Sequence, residues 1–435
     1  MKLRTLLLSA LLLLSAGTAW ADVEINETNF PDGNFRSLLL SWSYGSDGVI
    51  TDGEIGNVPT MIIAGDDNSP GNIRNLQGIE YFTSITKLDC SYNRLTSLDV
   101  SKNIHLNMLY CSSNRLASLN VSKNPWLSLL YCNSNQLTSI DLSGCTGVTT
   151  LECYENQLTS LDVSGCTGLR WLSCGDNQLT SLDVSGCTEL TWLGCSSNQL
   201  ASLDVSTNTK LTQLWCGTNL FTSLDVSGCT GLTMLGCGDN QLTSLDVSKN
   251  TKLARLWCYS NQLTSLDVSK NTALEYLYCY SNQLTSLDVS KNTALTQLSC
   301  ENNQLTSLNV SGCTELKYLS CFLNKINGAA MDALVESLPF VSNCSMWVVF
   351  NENEGNVMTT TQVAAAKAKG WTPLYFDGTE WKEYPGVVPS TAITGVEADA
   401  TNDSAPWYTV SGAQLDKAPT APGIYIHGGR KVVVK

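Results

Sequence analysis

The chain has 435 residues, 43 % of them apolar, so it exceeds one ordinary domain and has the composition of a protein with a large core. It carries 25 Lys and Arg against 39 Asp and Glu, and this net charge of −14 excludes the basic face that nucleic-acid binding requires. Only two histidines are present, which excludes most histidine-based catalysis and histidine-rich metal sites.

Residues 1–21 have the layout of a secretory signal peptide. Two basic residues precede an apolar run at 6–14, and the tripeptide Ala-Trp-Ala at 19–21 gives a cleavage site. No other stretch approaches the ~18 apolar residues that span a bilayer. We therefore expect an exported protein without a transmembrane segment, located outside the cell or on the outer cell surface.

Residues 22–84 are predicted to form an N-terminal cap. Within it, a segment resembles a degenerate calcium-binding EF-hand loop, because Asp47 and Glu54 hold the fifth and twelfth loop positions. Ser43 and Gly45 stand where the first and third ligands belong, and losing two carboxylates weakens a site for a hard cation. Asp47 and Glu54 are therefore weak metal candidates, and a turn without metal is favoured.

From residue 85 to residue 327 the sequence repeats every 21 residues. One unit, 274–294, reads L-x-x-L-x-C-x-x-N-x-L followed by x-x-L-x-V-x-x-N/C. This is the leucine-rich-repeat pattern with Cys in a Leu position. About twelve coils are expected, since cysteine keeps the period without a slip at Cys90, Cys111, Cys132, Cys153, Cys174, Cys195, Cys216, Cys237, Cys258, Cys279, Cys300 and Cys321.

Each repeat predicts a strand followed by a turn. Leu277 and Cys279 alternate with Tyr276 and Tyr278, the period of a strand with one buried face. Asn282 follows where the chain turns, and its amide can bond backbone groups that the turn leaves unpaired. Apolar residues alternate again soon afterwards, so a second short extended segment is expected to return along the other side. A long helix does not fit into 21 residues.

A single coil buries too little apolar surface to fold alone, whereas stacked coils share a core and hydrogen-bond ladders. The predicted fold class is therefore a leucine-rich-repeat solenoid that is mostly β. It has a parallel β ladder, 21-residue coils, little helix, N- and C-terminal caps and a small β tail.

The ladder cysteines are predicted to be buried, reduced thiols that fill the core. In-register side chains point the same way, so neighbouring Cβ atoms lie about 4.8 Å apart, farther than the ~3.8 Å that disulfides prefer. Scattered disulfides are the alternative, and metal binding is disfavoured because no C-x-x-C spacing occurs. Packing is also the expected role of a second set, which alternates with Asn at another corner: Cys145, Cys166, Cys187, Cys229 and Cys313.

This cysteine-laddered, 21-residue repeat resembles the internalin-J-like leucine-rich-repeat proteins of bacterial surfaces. The resemblance covers residues 85–327. It implies a surface protein that binds or adheres to a protein of a host or neighbouring cell, and it does not transfer a ligand or a cofactor.

A column of aspartates repeats on the return segment, from Asp99 to Asp288. Paired carboxylates can hydrolyse glycosides. These carboxylates have near-identical surroundings, however, and nothing separates an acid from a base, as catalysis requires. A solvated face is the favoured interpretation, and an enzyme is not expected.

Residues 328–384 are predicted to form an α/β cap that closes the open end of the core. Helices are expected over 330–338 and 361–369 and a strand over 345–350, and the N-terminal cap has a further predicted helix over 30–40.

Residues 385–405 have the Pro, Ala, Ser and Thr content of a linker. Residues 406–435 then predict two or three short strands joined by glycine turns. Their core, G-I-Y-I at 423–426 and K-V at 431–432, is similar to the carboxy-terminal sorting tail of type IX secretion cargo in Bacteroidetes. The resemblance implies export across the outer membrane, followed by release or surface attachment.

The ligand-binding surface is predicted on the outward face of the main strands, in the central and later coils. Outward residues vary freely there, whereas the frame columns barely change. Exposed aromatic residues and Arg dominate binding hot spots, which favours a protein partner, with stacked glycans as the alternative. The candidate residues are Tyr110, Tyr131, Trp171, Trp192, Trp215, Arg255, Trp257, Tyr259, Tyr276, Tyr278, Tyr280 and Tyr318.

Two glycines support the binding interpretation. Gly194 and Gly236 lie beside Trp192 and Trp215, and we expect them to leave gaps between rings, as pockets do. The alternative is that the rings stack on one another along the ladder and only stiffen the sheet. A monomer without a cofactor is expected.

Overall fold

The structure is a computed structural model that describes residues 22–66, 68–69, 71–351, 354–388, 406–410, 412–427 and 430–434. The predicted signal peptide and most of the predicted linker lie outside the described residues. No helix in the described ranges is long and apolar enough to span a membrane.

The N-terminal block contains one short antiparallel strand pair, two helices, a strand that joins the main sheet and a final 3₁₀ helix. Asp32 caps the first helix by accepting hydrogen bonds from the backbone N–H groups of Asn34 and Phe35, so the helix starts later than the predicted residue 30. The elements are β1 (Val23–Glu24), α1 (Gly33–Ser41), β2 (Val49–Ile50), α2 (Asp52–Ile55), β3 (Thr60–Ile62) and a 3₁₀ helix (Ile79–Tyr81).

The repeats contribute one three-residue main strand per coil, and two coils add a return strand. The return strands are β6 (Ser118–Asn120) and β8 (Ser139–Asp141). The main strands are β4 (Lys87–Asp89), β5 (Met108–Tyr110), β7 (Leu129–Tyr131), β9 (Thr150–Glu152), β10 (Trp171–Ser173), β11 (Trp192–Gly194), β12 (Gln213–Trp215), β13 (Met234–Gly236), β14 (Arg255–Trp257), β15 (Tyr276–Tyr278), β16 (Gln297–Ser299) and β17 (Tyr318–Ser320).

Main strands pair in parallel with equivalent residues opposite, as Leu193 and Leu214 do. The predicted solenoid of 21-residue coils is thereby confirmed. The predicted return segments alternate exposed and buried residues in most coils. Among the described residues they form ladder pairs only between β6 and β8 and at the single bridge between Asp288 and Asn309.

The C-terminal cap continues the main sheet instead of only covering its end. Its elements are α3 (Ala329–Ser337), β18 (Cys344–Val349), α4 (Thr360–Ala368), β19 (Trp371–Phe376) and β20 (Trp381–Glu383). Strands β18 and β19 add in parallel after β17, and β20 closes the edge in antiparallel fashion. Helix α4 is capped by Thr359, with Gln362 completing a capping box, so it starts one residue before the prediction.

The tail forms a separate antiparallel sheet of four strands, so the predicted number of two or three is too low. The strands are β21 (Trp407–Thr409), β22 (Gln414–Leu415), β23 (Gly423–His427) and β24 (Arg430–Val434). Their order in the sheet is β22-β21-β23-β24, and in the described ranges they pair only with one another.

The core of the solenoid consists of stacked Leu, Val and Cys columns. Every ladder cysteine is 0 % exposed, and all eighteen cysteines, each within the described ranges, are free thiols. Burial raises the pKa of Cys111, Cys153 and Cys237 to about 12, so these thiols stay protonated at neutral pH. The predicted packing role of the cysteines is confirmed.

A ladder of buried asparagines fixes the turn after each main strand, as predicted. The Asn261 side-chain Nδ2 donates to the carbonyls of Cys237, Cys258 and Tyr259 at 3.0–3.2 Å, and its Oδ1 accepts from the Leu242 N–H at 2.9 Å. Two of these four hydrogen bonds, those with Cys237 and Leu242, join Asn261 to the preceding coil, and the other two close its own turn. The residue before each ladder Asn has positive φ, near +50°, without being glycine.

The second corner of each coil lies shortly after the return segment. Asn and Cys alternate there because the side chains of both can donate a hydrogen bond to the same backbone carbonyls. Asn271 donates to the carbonyls of Val247 and Asn250, and Cys229 donates to the equivalent carbonyls of Val205 and Asn208. The Oδ1 atoms of six corner asparagines are buried without a hydrogen-bond partner in the described chain: Asn103, Asn124, Asn208, Asn250, Asn271 and Asn292. A thiol at this corner avoids burying that oxygen.

The aspartate column is explained by local turns. The Oδ1 of each Asp accepts from the backbone N–H of the Ser two residues later, at 2.8–2.9 Å for Asp204, Asp225, Asp246 and Asp267. These backbone hydrogen bonds, together with the Ser hydroxyls, lower the pKa of each carboxyl. Asn120 and Asn309 accept the same bond where they replace Asp.

These lowered pKa values predict a loss of stability in acid. The unfolded chain binds protons more readily than the folded one, so the stabilisation is present above the unfolded pKa near 4 and is lost as pH falls through the folded pKa. A variant with Asp204→Asn, Asp225→Asn, Asp246→Asn and Asp267→Asn should melt near the wild-type temperature at pH 7 but lose less between pH 7 and pH 3. The reciprocal Asn309→Asp should lose more. An equal acid-induced drop in melting temperature for all three proteins would contradict this role.

Candidate functional site

The candidate surface is the strand face, defined by the first and third residues of each main strand together with Ser345 and Trp347 of β18, which pair with the equivalent residues of β17. The middle residue of each strand points into the core, so these two flanking residues face solvent. The sheet places all the predicted candidates on or directly beside this face. Contacts between their side chains divide these residues into separate clusters.

In the early coils, Tyr110 and Tyr131 stack with ring centroids 4.9 Å apart. The Lys87 ammonium lies 5.2 Å from the centroid of the Tyr110 ring, within the range of a cation–π contact. Burial, and then the charge of Glu152, raise the pKa of Tyr131. Glu152 is therefore part of this cluster although sequence reasoning did not select it.

In the central coils, Trp171 and Trp192 stack almost in parallel, with centroids 4.1 Å apart and planes 4° apart. Trp171 remains 37 % exposed. The far edge of the Trp192 ring covers Gly194, where an added Cβ would lie 2.3 Å from Trp192 Cη2. Glycine is needed there because the ring occupies the space of a side chain.

Two further tryptophans meet across an intervening strand. Trp215 on β12 and Trp257 on β14 flank β13, yet their ring centroids are 4.9 Å apart. They converge above Gly236, whose added Cβ would lie 2.6 Å from Trp215 Cε3. Tyr278 then contacts Trp257 edge-on at 6.4 Å.

The expectation that Gly194 and Gly236 leave pocket-like gaps is wrong. Both glycines are buried beneath tryptophan rings. The glycines allow the large rings to lean over the sheet and close the gaps, which leaves a ridge made of two pairs of touching tryptophan rings. Ring stacking, the alternative interpretation, therefore describes the geometry, although stacking does not remove the rings from solvent.

The later coils hold the remaining candidates. The Arg255 guanidinium lies 4.8 Å from the centroid of the Tyr276 ring. Tyr259 and Tyr280, just beyond the strand ends, stack at 4.7 Å with planes 2° apart. Tyr318 stacks on a residue outside the predicted set, since its ring centroid lies 4.5 Å from that of Trp347 on β18.

Sequence reasoning missed two strand-face residues, Trp347 and Glu152, and also Glu301, which lies just beyond the end of β16. Trp347 lies beyond the last 21-residue unit, but the predicted strand over 345–350 contained it. Glu301 accepts hydrogen bonds from the Ser299 hydroxyl at 2.9 and 3.2 Å. Burial raises the pKa of both glutamates. The two glutamates could have been identified from the sequence, because each is a carboxylate at a repeat position that other coils often fill with aromatic residues.

The EF-hand-like segment is held by local hydrogen bonds. Asp47 Oδ1 accepts from the Val49 N–H at 3.1 Å, and Glu54 Oε2 accepts from the N–H and hydroxyl of Thr51, forming the capping box of α2. Among the described residues, no group of three or more His, Cys, Asp and Glu side chains is placed to hold a metal ion.

Comparison with known proteins places this geometry in a family. Residues 272–312 match the family of leucine-rich repeats (2 copies), and no curated protein matches the chain. The functional domain of InlJ from Listeria monocytogenes, which includes a cysteine ladder, is 32 % identical with a TM-score of 0.67, and the match covers 80 % of each chain.

Two other solved structures share the fold. An internalin, InlF, from Listeria monocytogenes is 24 % identical with a TM-score of 0.63, over 76 % of this chain and 98 % of that one. A leucine-rich-repeat protein from Leptospira interrogans is 23 % identical with a TM-score of 0.58, over 68 % and 81 %. By the identity and coverage of the InlJ match, the chain belongs to the internalin-type family of cysteine-ladder leucine-rich-repeat proteins.

Proposed function

We propose that the protein is exported, acts at the outer cell surface or outside the cell, and binds a protein partner through the strand face as a monomer without catalysis or cofactor. Family membership supports a binding role. The observation that carries the proposal is the ridge of partly exposed rings in which Trp171 touches Trp192 and Trp215 touches Trp257. Rings held in place by their neighbours lose little conformational freedom when a partner covers them.

Removing the ridge should abolish binding without unfolding the solenoid. A variant with Trp192→Ala, Trp215→Ala and Trp257→Ala keeps every buried core residue, and each lost ring contact contributes only about 0.5–1.5 kcal/mol to stability. We expect a folded protein with most of its ligand or cell binding lost, measured against a host-protein panel and whole cells. Normal binding by the folded variant would show that the strand face is not the site.

The return side supplies a matched control. Thr180, Thr222 and Thr243 are exposed residues of the central coils on the return segments. The variant Thr180→Ala, Thr222→Ala and Thr243→Ala removes three outward side chains from the same stretch of the solenoid and should bind as the wild type does.

Glycan capture is the second candidate function, because sugars also stack on exposed tryptophan and tyrosine rings. A glycan array run beside the host-protein panel separates the two. If the wild type binds glycans but no protein, and the tryptophan variant loses that binding, the strand face is a glycan-binding surface.

We also propose that residues 406–435 direct the protein to the outer surface as a type IX-like sorting tail. Because β21–β24 pair only with one another, their removal leaves every ladder of the main sheet intact. Deleting the chain from Pro406 should leave the melting temperature almost unchanged and stop surface delivery, as measured by surface labelling of the producing cells. Unchanged delivery would refute the sorting role.

A further inference from the structure

Glu301 is a half-buried carboxylate surrounded by tyrosines at the later end of the strand face. The buried residues next to the carboxylate are polar. The Ser299 hydroxyl donates to Glu301, and Ser299 and Ser320 are only 4 % and 1 % exposed. Burial raises the pKa of three nearby phenols and the charge of Glu301 raises it further: Tyr278, Tyr280 and Tyr318. The strand register agrees with this proximity, because Ser299, which donates to Glu301, lies directly opposite Tyr278 on the neighbouring strand.

Glu152 repeats the arrangement at the earlier end. It is the third residue of β9, with Tyr131 directly opposite on β7 and Trp171 on the next strand. Burial raises the pKa of Glu152, and a hydrogen bond from the Trp171 side chain partly offsets this effect. The two glutamates thus share a setting of half-burial, aromatic neighbours and exposure on the same face.

Neither glutamate has a positive partner. The ion pairs in the described part of the chain lie elsewhere, and none includes Glu152 or Glu301. Desolvating a carboxylate without pairing it is unfavourable, so both sites would be stabilised by a cation. Aromatic rings beside a carboxylate suit an ammonium or guanidinium group, which can pair with the charge and lie against a ring face.

We propose that Glu152 and Glu301 are two subsites that receive Lys or Arg side chains of the protein partner. This inference rests on the proposed function and specifies the chemistry of the partner as a basic segment. The net charge of −14 also attracts a basic partner and speeds its association. A neutral glycan would leave both carboxylates unpaired, so a basic protein segment is the better occupant.

The spacing of the subsites sets the size of the segment. Seven strand steps separate β9 from β16, about 34 Å along the sheet. An extended peptide of twelve residues reaches about 40 Å and can contact both glutamates at once. Two charged contacts on one segment strengthen each other through effective concentration.

A defined peptide tests the inference on the full chain. The probe is an acetylated and amidated twelve-residue peptide of alternating Lys and Gly, compared with the same peptide containing Gln for Lys, by calorimetry in 150 mM salt. The variant is Glu152→Gln with Glu301→Gln, which keeps side-chain shape and an acceptor for Ser299. The control, Glu275→Gln with Glu315→Gln, changes the same charge at two exposed glutamates outside the strand face.

The wild type should bind the Lys peptide at least ten-fold more tightly than the Gln peptide. The strand-face variant should lose at least ten-fold, and the control should stay within two-fold. Equal losses in both variants would show attraction by net charge alone and would overturn the proposal. Equal binding of the two peptides, or no binding of either, would also overturn it. So would binding of neutral glycans with an affinity that Glu301→Gln leaves unchanged.

A second readout does not depend on the variants. Pairing with an ammonium group should lower the carboxyl pKa of Glu301 when the Lys peptide is added, as followed by ¹³C NMR. An unmoved pKa at saturating peptide would overturn the proposal. Retained partner binding in the tryptophan variant would instead contradict the proposed function, so the two failures are distinguishable.

Discussion

Replacing Asn261 by Cys is expected to lower the free energy of unfolding by roughly 3–5 kcal/mol, because buried backbone groups left without partners each cost about 1–3 kcal/mol. The wild-type side chain is 8 % exposed and makes four hydrogen bonds, two to the preceding coil and two within its own turn. A thiol can replace at most one of them and leaves the Leu242 N–H buried and unpaired. Urea denaturation followed by circular dichroism measures the change.

The matched control lies ten residues later. Asn271→Cys introduces the residue that Cys229 already provides at the equivalent corner, toward equivalent carbonyls. It also removes a buried, unpartnered Oδ1. Stability should change by less than about 1 kcal/mol. Similar losses for Asn261→Cys and Asn271→Cys would contradict the different roles assigned to the two corners.

Thiol reactivity should change by orders of magnitude on unfolding. The thiolate is the reactive form, and raising a thiol pKa from 9.0 to about 12, as burial does for Cys195, lowers the thiolate fraction at pH 8 roughly a thousand-fold. Of the eighteen cysteines, only Cys344 is not fully buried. Titration with a thiol reagent should therefore detect about one thiol in the folded chain and eighteen in guanidinium chloride.

Mass spectrometry of the unreduced protein can test the same assignment independently. Finding most of the ladder from Cys111 to Cys321 linked as disulfides would contradict the assignment of these residues as reduced packing groups.

The repeats were predictable because each coil places the same residue types in the same surroundings. The period of 21 located every main strand from β4 to β17, and the alternation around Leu277 gave the buried and exposed faces correctly. The hydrogen-bonding role of Asn282 followed from its position after the strand. Ladder pairing of the return segments was not predictable, because side-chain alternation shows extension but not the distance between neighbouring coils.

The ends of the sheet escaped the period search. Strand β3 pairs with β4 at an interval of 27 residues, from Thr60 to Lys87, and β18 follows β17 by the same interval, from Tyr318 to Ser345. Strand β19 was missed for another reason, since Pro373 lies within it and proline argues against a strand between two others.

The position of the predicted residues on or beside one outward face was predictable, whereas the contacts between their side chains were not. A column of outward residues identifies the rings, whereas the direction in which each ring leans depends on its neighbours. Gly236 alone does not reveal whether it opens a gap or accommodates two converging indoles. The partly buried state of Glu152 and Glu301 likewise depends on rings contributed by neighbouring coils.

Oxidative footprinting tests the binding role of the strand face most directly. The chain is exposed to hydroxyl radicals alone and in complex with the partner found by the panel, and tryptophan oxidation is measured by mass spectrometry. Trp126, 67 % exposed and outside the strand face, serves as the internal control. We predict that bound partner protects Trp171, Trp192, Trp215 and Trp257 and leaves Trp126 reactive. Unchanged oxidation of the four strand-face tryptophans in the complex would contradict the proposed surface.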